Sequence, residues 1–213
     1  MNQKQKKEQA LRVIERLKGV YPDAVCSLTY QKPYELLFAV RLSAQCTDAR
    51  VNQVTPALFA AFPTLEAFAS AETEAVEKYI FSCGLYHSKA VSLIACAKML
   101  LEEYDGQVPD SMEQLLKLPG VGRKTANLIM VDVFGRPAIV TDTHWIRITN
   151  RLGLAKGKEP AKVEQQLWKV IPPEEGNWLC HRFVLFGRDT CTARSPKCGA
   201  CPLSDICPSV IQK

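Results

Sequence analysis

Two segments with helical patterns are joined by the stretch Leu118-Pro119-Gly120-Val121-Gly122-Arg123-Lys124-Thr125-Ala126, which predicts a tight turn between two helices. Gly120 and Gly122 allow the backbone to turn sharply and allow another molecule to approach it closely. The second helix exposes its first backbone N–H groups at this turn, and these donors combine with the positive end of the helix dipole to favour a phosphate. A bare Gly-x-Gly turn is also common as a corner that only packs two helices, so other residues must distinguish the two interpretations.

Lys124 falls in the first turn of the second helix, where a cation opposes the helix dipole. This position favours the neutral amine, which is a nucleophile, although a lysine here is also commonly a solvated surface residue. Asp142 follows 18 residues later, directly before another helical pattern, and is predicted to be an N-cap. A carboxylate at a helix N-terminus could also stabilise a developing cation or accept a proton from an amine.

Four of the nine cysteines fall within 17 residues near the C-terminus, with the spacing C-x6-C-x2-C-x5-C. This spacing predicts one site with four thiolate ligands, formed by Cys191, Cys198, Cys201 and Cys207. A zinc ion and a [4Fe–4S] cluster both fit four thiolates, and the spacing does not distinguish them. The other five cysteines lie among apolar residues and are predicted to be core thiols: Cys26, Cys46, Cys83, Cys96 and Cys180.

The composition is that of an ordinary globular protein, with 47% hydrophobic and 23% charged residues in 213 positions. This length accommodates one large or two small domains. A net charge of +5 permits nucleic-acid binding without demonstrating it. The chain has no apolar run of 18 residues and no signal-peptide core, so we expect a cytoplasmic protein without a membrane span.

The apolar periodicity predicts an all-α fold. Leu11, Ile14 and Leu17 mark one face of an N-terminal helix, and Ser88 and Ser111 are predicted N-caps, the latter in a capping box with Gln114. The predicted helices cover residues 33–42, 48–62 with a kink or break at Pro56, 64–70, 73–82, 88–104, 142–150, 160–170 and 178–185. The one strand signal is residues 138–140.

Three motifs occur in the order found in the endonuclease III family, within the helix–hairpin–helix DNA glycosylase superfamily. They are LPGVGRKTAN at 118–127, VDVFGRPAIVTDTHWIRITNRLGL at 131–154 and the cysteine motif. The resemblance continues upstream at residues 41–45 and 84–90 and therefore covers nearly the whole chain. On the basis of these motifs, the chain resembles the endonuclease III family.

The resemblance implies two helical domains with the active-site cleft between them. Residues 24–136 would form a six-helix barrel with the helix–hairpin–helix. Residues 1–23 and 137–213 would form a second domain that carries a [4Fe–4S] cluster, so iron–sulfur becomes the expected cofactor. The expected partner is duplex DNA with damaged bases or abasic sites, bound by a monomer that associates with the nucleoid in the cytoplasm.

The activity implied by the resemblance is removal of oxidised pyrimidines followed by strand scission, in base excision repair. Lys124 would attack the sugar and form a Schiff base, and Asp142 would activate it. Other residues would contact DNA: Gln45 and Leu85 in the gap left by the flipped base, Gly120, Val121, Gly122 and Arg123 at a phosphate, and Arg194 and Lys197 beside the cluster.

The sequence departs from the family pattern at some positions near these motifs. Phe186 stands where the family can have histidine, and Cys46, Cys83 and His87 flank the segments that contain Gln45 and Leu85. These differences bear on the choice of lesion more than on the mechanism. The alternatives are an adenine-mismatch or modified-purine glycosylase on the same scaffold, a non-catalytic iron–sulfur DNA-binding protein, and a zinc protein that binds other proteins.

Overall fold

The computed structural model describes residues 1–211, which are helical with no β-strand among them. This confirms the prediction of an all-α fold. No helix in this described range is long and apolar enough to cross a membrane. The α-helices are α1 Gln3–Val20, α2 Pro33–Leu42, α3 Asp48–Ala61, α4 Leu65–Ala69, α5 Thr73–Ile80, α6 Tyr86–Glu103, α7 Met112–Leu115, α8 Arg123–Asp132, α9 Thr143–Arg151, α10 Pro160–Leu167 and α11 Gly176–Asp189.

The chain divides into two compact units. One unit is the continuous segment Ser27–Phe134, which contains α2 to α8. The other combines Met1–Cys26 with Gly135–Lys213 and therefore joins the two ends of the sequence. The division of the chain into the two functional domains expected from the sequence stays a prediction.

The unit formed by Ser27–Phe134 has its core along α2, α4 and α6. α2 begins with Pro33 at its first position, where a missing N–H costs nothing, and its apolar residues are buried on all sides. Phe38 packs edge-on against Phe68 of α4 with ring centroids 4.9 Å apart. α6 packs against both α4 and α5, so its buried face is the centre of this unit.

The second unit is built around α9 and α11. Trp145 of α9 and Phe183 of α11 are completely buried and meet edge to face, with centroids 4.7 Å apart. α1 packs against α11, which places the N-terminal helix beside the C-terminal half of the chain. Residues 138–140, which carry the strand signal of the sequence, are buried but have no regular secondary structure.

The structure corrects three expectations about helix ends and faces. α6 begins at Tyr86 with Leu85 as its N-cap, so Ser88 lies inside the helix and is not its cap. Ser111 is the N-cap residue of α7, but its side chain makes no capping bond. In α1 the buried face includes Val13, Ile14 and Leu17, whereas Leu11 is 52% exposed.

The prediction of five core cysteines is only partly correct. Cys83, Cys96 and Cys180 are buried, whereas Cys26 and Cys46 are partly exposed. Burial raises the pKa of Cys96 to about 12, as expected for a thiol in an apolar core. All nine cysteines lie within the described residues, and none of them forms a disulfide there.

Gly187 sets how closely α9 and α11 can approach. A Cβ at this position would overlap His144 Nδ1 and lie 2.8 Å from Arg147 Nη2, which itself donates a hydrogen bond to the Gly187 carbonyl. We expect Gly187→Ala to lower the free energy of unfolding by about 1–3 kcal/mol, as in other overpacked cores. Urea unfolding monitored by circular dichroism measures this loss.

The matched control is Gly19→Ala in α1, where nothing lies within 4 Å of the added Cβ. An alanine there should leave stability unchanged or raise it by up to about 1 kcal/mol, because alanine favours the helix. Equal stability of the two variants would contradict the packing argument.

Candidate active site and cysteine loop

The predicted hairpin is present, with α7, a turn and α8 in succession. Gly120 in the turn has φ +79°, a conformation that disfavours other residues. A Cβ there would lie 2.7 Å from Arg41 Nε and 3.0 Å from Ser92 Cβ. Glycine at this position is therefore required by the hairpin's own backbone and by its packing against α2 and α6.

Gly122 differs from Gly120, because the fold itself does not require glycine there. Its φ is −97° and nothing lies within 4 Å of a built Cβ. It is the N-cap of α8, and since it has no side chain it cannot satisfy the N–H groups of the first turn. The open space beside these donors suits the close approach of an external anion.

Lys124 is exposed in the first turn of α8, as the sequence predicts. Val121 turns the chain into this helix by donating its N–H to the Leu118 carbonyl at 3.1 Å. Arg123, beside Lys124, is also exposed. The hairpin thus presents two adjacent cationic side chains at the helix N-terminus.

Asp142 is the N-cap of α9, as predicted, and it is half-buried. Its Oδ1 accepts a hydrogen bond from the Trp145 N–H at 2.8 Å. The cap uses one carboxylate oxygen and leaves the second for other chemistry. Asp142 and Lys124 belong to different units of the chain.

Gln45 and Leu85 share an unusual backbone conformation. Within residues 1–211 only three residues other than glycine have positive φ: Gln45 at 56°, Leu85 at 48° and Asp105 at 50°. Left-handed backbone costs such residues about 1–2 kcal/mol. Both Gln45 and Leu85 are also exposed, Leu85 to 57%. Strain combined with an exposed side chain is typical of functional positions and not of core packing.

Further side chains lie near Leu85 in the sequence. Phe81 is 66% exposed and its ring lies 4.8 Å from that of Tyr86, directly after Leu85. Burial and the neighbouring Cys46 thiol raise the pKa of Cys83 to about 11. His87 Nδ1 lies 2.5 Å from Glu77 Oε1, so this histidine is paired with a carboxylate of α5.

The four clustered cysteines lie in the segment 191–207, the cysteine loop, and line one pocket. Its other walls include the apolar side chains of Ile148, Leu152, Phe186 and Leu203. Burial raises the pKa of Cys201 and of Cys207, and the neighbouring thiols of the loop raise both further. A positively charged metal centre binds thiolates and would offset this unfavourable ionisation of Cys201 and Cys207.

The metal that these four thiols could bind depends on their arrangement around the pocket. Within the described range, no group of three His, Cys, Asp or Glu side chains is placed to hold a metal ion. A single zinc ion needs every sulfur about 2.3 Å away. A [4Fe–4S] cluster is bound by four separate thiolates.

Two arginines of α9 hold the start of the cysteine loop. Arg147 Nε donates to the Cys191 carbonyl at 3.0 Å. Arg151 donates to the carbonyls of Thr192 at 2.7 Å and Ala193 at 2.9 Å, and its Nη1 lies 3.1 Å from Cys191 Sγ. The loop is therefore positioned by long side chains from a neighbouring helix, since it has little secondary structure of its own.

The N-terminal helix holds the end of the same loop. Gln9 Nε2 donates to the Ile206 carbonyl at 2.5 Å, and Arg16 donates to the Pro202 carbonyl at 2.9 Å and pairs with Asp205. Of the two cations predicted beside the loop, Arg194 is exposed, and Lys197 is exposed but lies 3.7 Å from Asp189.

Comparisons with known proteins show the family of this chain. The family model described as HhH-GPD superfamily base excision DNA repair protein matches residues 38–173. The chain is 47% identical to endonuclease III of Synechocystis sp. over 96% of this chain and 94% of the relative. The chain belongs to the endonuclease III family of DNA glycosylases and abasic-site lyases.

Other members of the family are similarly close. Endonuclease III of Escherichia coli is 43% identical over 94% of this chain and 95% of the relative. Among solved structures, a trapped endonuclease III–DNA covalent intermediate matches with a TM-score of 0.90 and 44% identity, covering 95% of this chain and 96% of that one. A non-covalent endonuclease III–DNA complex has a TM-score of 0.91 at the same identity, over 95% of each chain.

The second family model, the iron–sulfur binding domain of endonuclease III, matches residues 191–207. This range begins at Cys191 and ends at Cys207, and together with the endonuclease III relatives it supports a [4Fe–4S] cluster as the cofactor of this chain. The open choice between zinc and iron–sulfur is therefore settled in favour of iron–sulfur.

Sequence reasoning missed three residues that shape these regions: Lys89, Arg147 and Arg151. All three are cations within helices, and in a sequence such residues are usually solvated. A weak signal was available for Lys89, since Ala90, Leu93 and Ala97 place it next to the apolar face of α6.

Proposed function

We propose that this protein removes oxidised pyrimidines from duplex DNA and cleaves the strand at the resulting abasic site, acting as a monomer on nucleoid DNA in the cytoplasm. The observation that carries the proposal is the exposed Lys124 at the open N-terminus of α8. A similar solved structure, a trapped covalent endonuclease III–DNA intermediate, supports a residue that bonds to DNA.

A phosphate near the lesion binds at the turn of the hairpin. The backbone from Gly120 to Gly122 and the Arg123 side chain provide donors and positive charge, and the space beside Gly122 admits the phosphate. Such contacts fix the position of the DNA without reading its sequence. They place the damaged nucleotide within reach of Lys124.

The reaction begins when the neutral amine of Lys124 attacks C1′ of the sugar. The new N–C1′ bond replaces the glycosidic bond, whose electron pair leaves with the base. After the nitrogen has lost one proton to Asp142, its lone pair opens the sugar ring by breaking the C1′–O4′ bond, and O4′ takes up a proton. The product is a protonated Schiff base, which acidifies the 2′ protons. Removal of a 2′ proton then breaks the C3′–O bond, and the 3′ phosphate departs.

Asp142 accepts a proton from Lys124 and stabilises positive charge on the sugar while the base leaves. Its position supports this role, since the α9 N-terminus favours a carboxylate and the cap fixes its orientation.

Gln45 and Leu85 occupy the gap left by the flipped base. Flipping a nucleotide costs roughly a few kcal/mol of stacking and pairing. An apolar wedge and an amide replace part of these interactions inside the duplex. The exposed, left-handed conformation of both residues supports such a role.

Cys191, Cys198, Cys201 and Cys207 hold the [4Fe–4S] cluster. When bound, the cluster cross-links the loop that these residues define. Arg194 and Lys197 on this loop then contact the DNA backbone, where cations raise affinity without base specificity.

Removing the Lys124 amine tests the reaction directly. We expect Lys124→Ala to bind DNA but to lose strand cleavage by about a thousandfold or more, because no Schiff base can form. Borohydride trapping on duplexes that contain thymine glycol or an abasic site measures the adduct. Lys117→Ala, which removes an exposed lysine paired with Glu113 in the same hairpin, is the control and should trap normally.

An adduct that persists in Lys124→Ala would identify a different nucleophile. An adduct of the wild type with the abasic DNA alone would retain the lyase activity and contradict the oxidised-pyrimidine substrate.

Two substitutions at Asp142 separate its chemistry from its capping. Asparagine also caps helices, so Asp142→Asn should keep the free energy of unfolding within about 0.5 kcal/mol while base removal slows by about 100-fold or more. Asp142→Ala should lose the same activity and also about 1 kcal/mol of stability. Single-turnover glycosylase rates and urea unfolding measure both effects, and a fully active Asp142→Asn would refute the catalytic role.

The ligand assignment is tested by the iron content of purified protein. Cys198→Ser should lose most of its iron, its visible absorbance and much of its soluble yield, because one of four thiolates is removed. Cys26→Ser changes a thiol outside the loop and should retain the cluster. An intact cluster spectrum in Cys198→Ser would exclude Cys198 as a ligand.

A further inference from the structure

Lys89 is a completely buried lysine that the proposed reaction does not use. Its Nζ donates hydrogen bonds to the carbonyl oxygens of Leu42 at 2.8 Å and Cys83 at 2.9 Å. Lysine is almost never fully buried without a compensating partner, and neither of these two partners is a carboxylate. Burial accordingly lowers the pKa of Lys89, while the thiols of Cys83 and Cys46 oppose this shift.

The two carbonyls that Lys89 binds are the starting points of the two segments with left-handed residues. Leu42 is the last residue of α2, three positions before Gln45. Cys83 ends a short 3-10 turn and is followed by Gly84, with φ 66°, and then by Leu85. One ammonium group therefore keeps the two carbonyl oxygens within roughly 6 Å of each other, twice an ordinary hydrogen-bond distance.

The same stretch of α6 also supports the hairpin. The Lys89 carbonyl accepts a hydrogen bond from Ser92 Oγ at 2.9 Å, and Ser92 Oγ accepts one from Arg41 Nε at 2.9 Å. Arg41 and Ser92 are the side chains that a Cβ on Gly120 would contact. Residues 89–92 thus connect the segments of Gln45, Leu85 and the phosphate-binding turn.

We propose that Lys89 is a positioning residue, whose ammonium group holds the segments of Gln45 and Leu85 in the strained geometry that inserts both side chains into DNA. This inference rests on the proposed roles of Gln45 and Leu85. Because Lys89 is buried, it acts through these segments and does not contact phosphate. Loss of the ammonium group would leave two buried carbonyls without a donor and would relax both segments.

A thermodynamic cycle between Lys89 and the pair Gln45 and Leu85 tests the proposal on the whole protein with its cluster. We expect Lys89→Met, and the variant that combines Gln45→Ala with Leu85→Ala, each to lower kcat/KM for thymine glycol removal by about tenfold or more. Adding Lys89→Met to that combined variant should lower kcat/KM by no more than about a further twofold, because Lys89 acts through two side chains that are already absent. Independent, multiplicative losses would overturn the proposal.

Insertion into DNA is measured separately by the fluorescence of 2-aminopurine placed opposite an abasic site. Lys89→Met should reduce the fluorescence change on binding to that of Leu85→Ala. Lys89→Gln keeps N–H donors without the charge and should recover part of the fluorescence change. This variant replaces Lys89→Met in the experiment if the methionine variant folds poorly. Leu100→Ala, a buried change further along α6, controls for lost stability and should leave the fluorescence change intact.

Wild-type borohydride trapping on the same DNA separates the two possible failures. If the wild type forms the adduct and the Lys89 variants behave as Leu100→Ala does, the positioning role is wrong and the proposed function stands. If the wild type forms no adduct, the proposed function and this inference are both overturned.

Discussion

Hydrogen bonds from long cationic side chains to carbonyls of loops and helix ends hold the candidate functional segments of both units. The fold consists of short helices, and the loops between them have few backbone partners of their own, so their carbonyls need donors from elsewhere. Lysine and arginine supply several donors at the end of a flexible stem. Four cations donate such hydrogen bonds to carbonyl oxygens: Lys89 to Leu42 and Cys83, Arg147 to Gly187 and Cys191, Arg151 to Thr192 and Ala193, and Arg16 to Pro202.

This use of cations explains why the net charge of +5 was a poor guide to DNA binding. Some lysine and arginine side chains do not neutralise an external anion, because they donate their hydrogen bonds to the protein's own backbone carbonyls. Lys197 differs from these cations because it is exposed, and its partner is the Asp189 carboxylate instead of a backbone carbonyl. Burial and partners separate the structural cations from those available to a ligand, and neither property can be obtained from composition.

Most helix positions could be predicted because their signals are local. Pro33 and Asp142 mark helix starts through groups within a few residues, and both begin helices in the structure. The errors arise where distant contacts decide. The exposure of Leu11 depends on what α1 packs against, and α6 begins before Ser88 because the left-handed Gly84 and Leu85 turn the chain directly into the helix. The contiguous motifs likewise predicted that Lys124 and Asp142 lie at helix N-termini, whereas the hydrogen bond of Lys89 reaches a carbonyl 47 positions away.

The left-handed backbone at Gln45 and Leu85 lowers the stability of the protein at the two positions that are proposed to enter DNA. Glycine would relieve the unfavourable conformation at both positions, yet glycine has no side chain to occupy a gap in a duplex. A laboratory evolution experiment that selects only for heat resistance would therefore enrich glycine there, and under the proposed roles of Gln45 and Leu85 the resulting proteins would be stable but inactive. A position in this chain where a substitution raises stability is therefore a candidate for a position that selection for activity has retained.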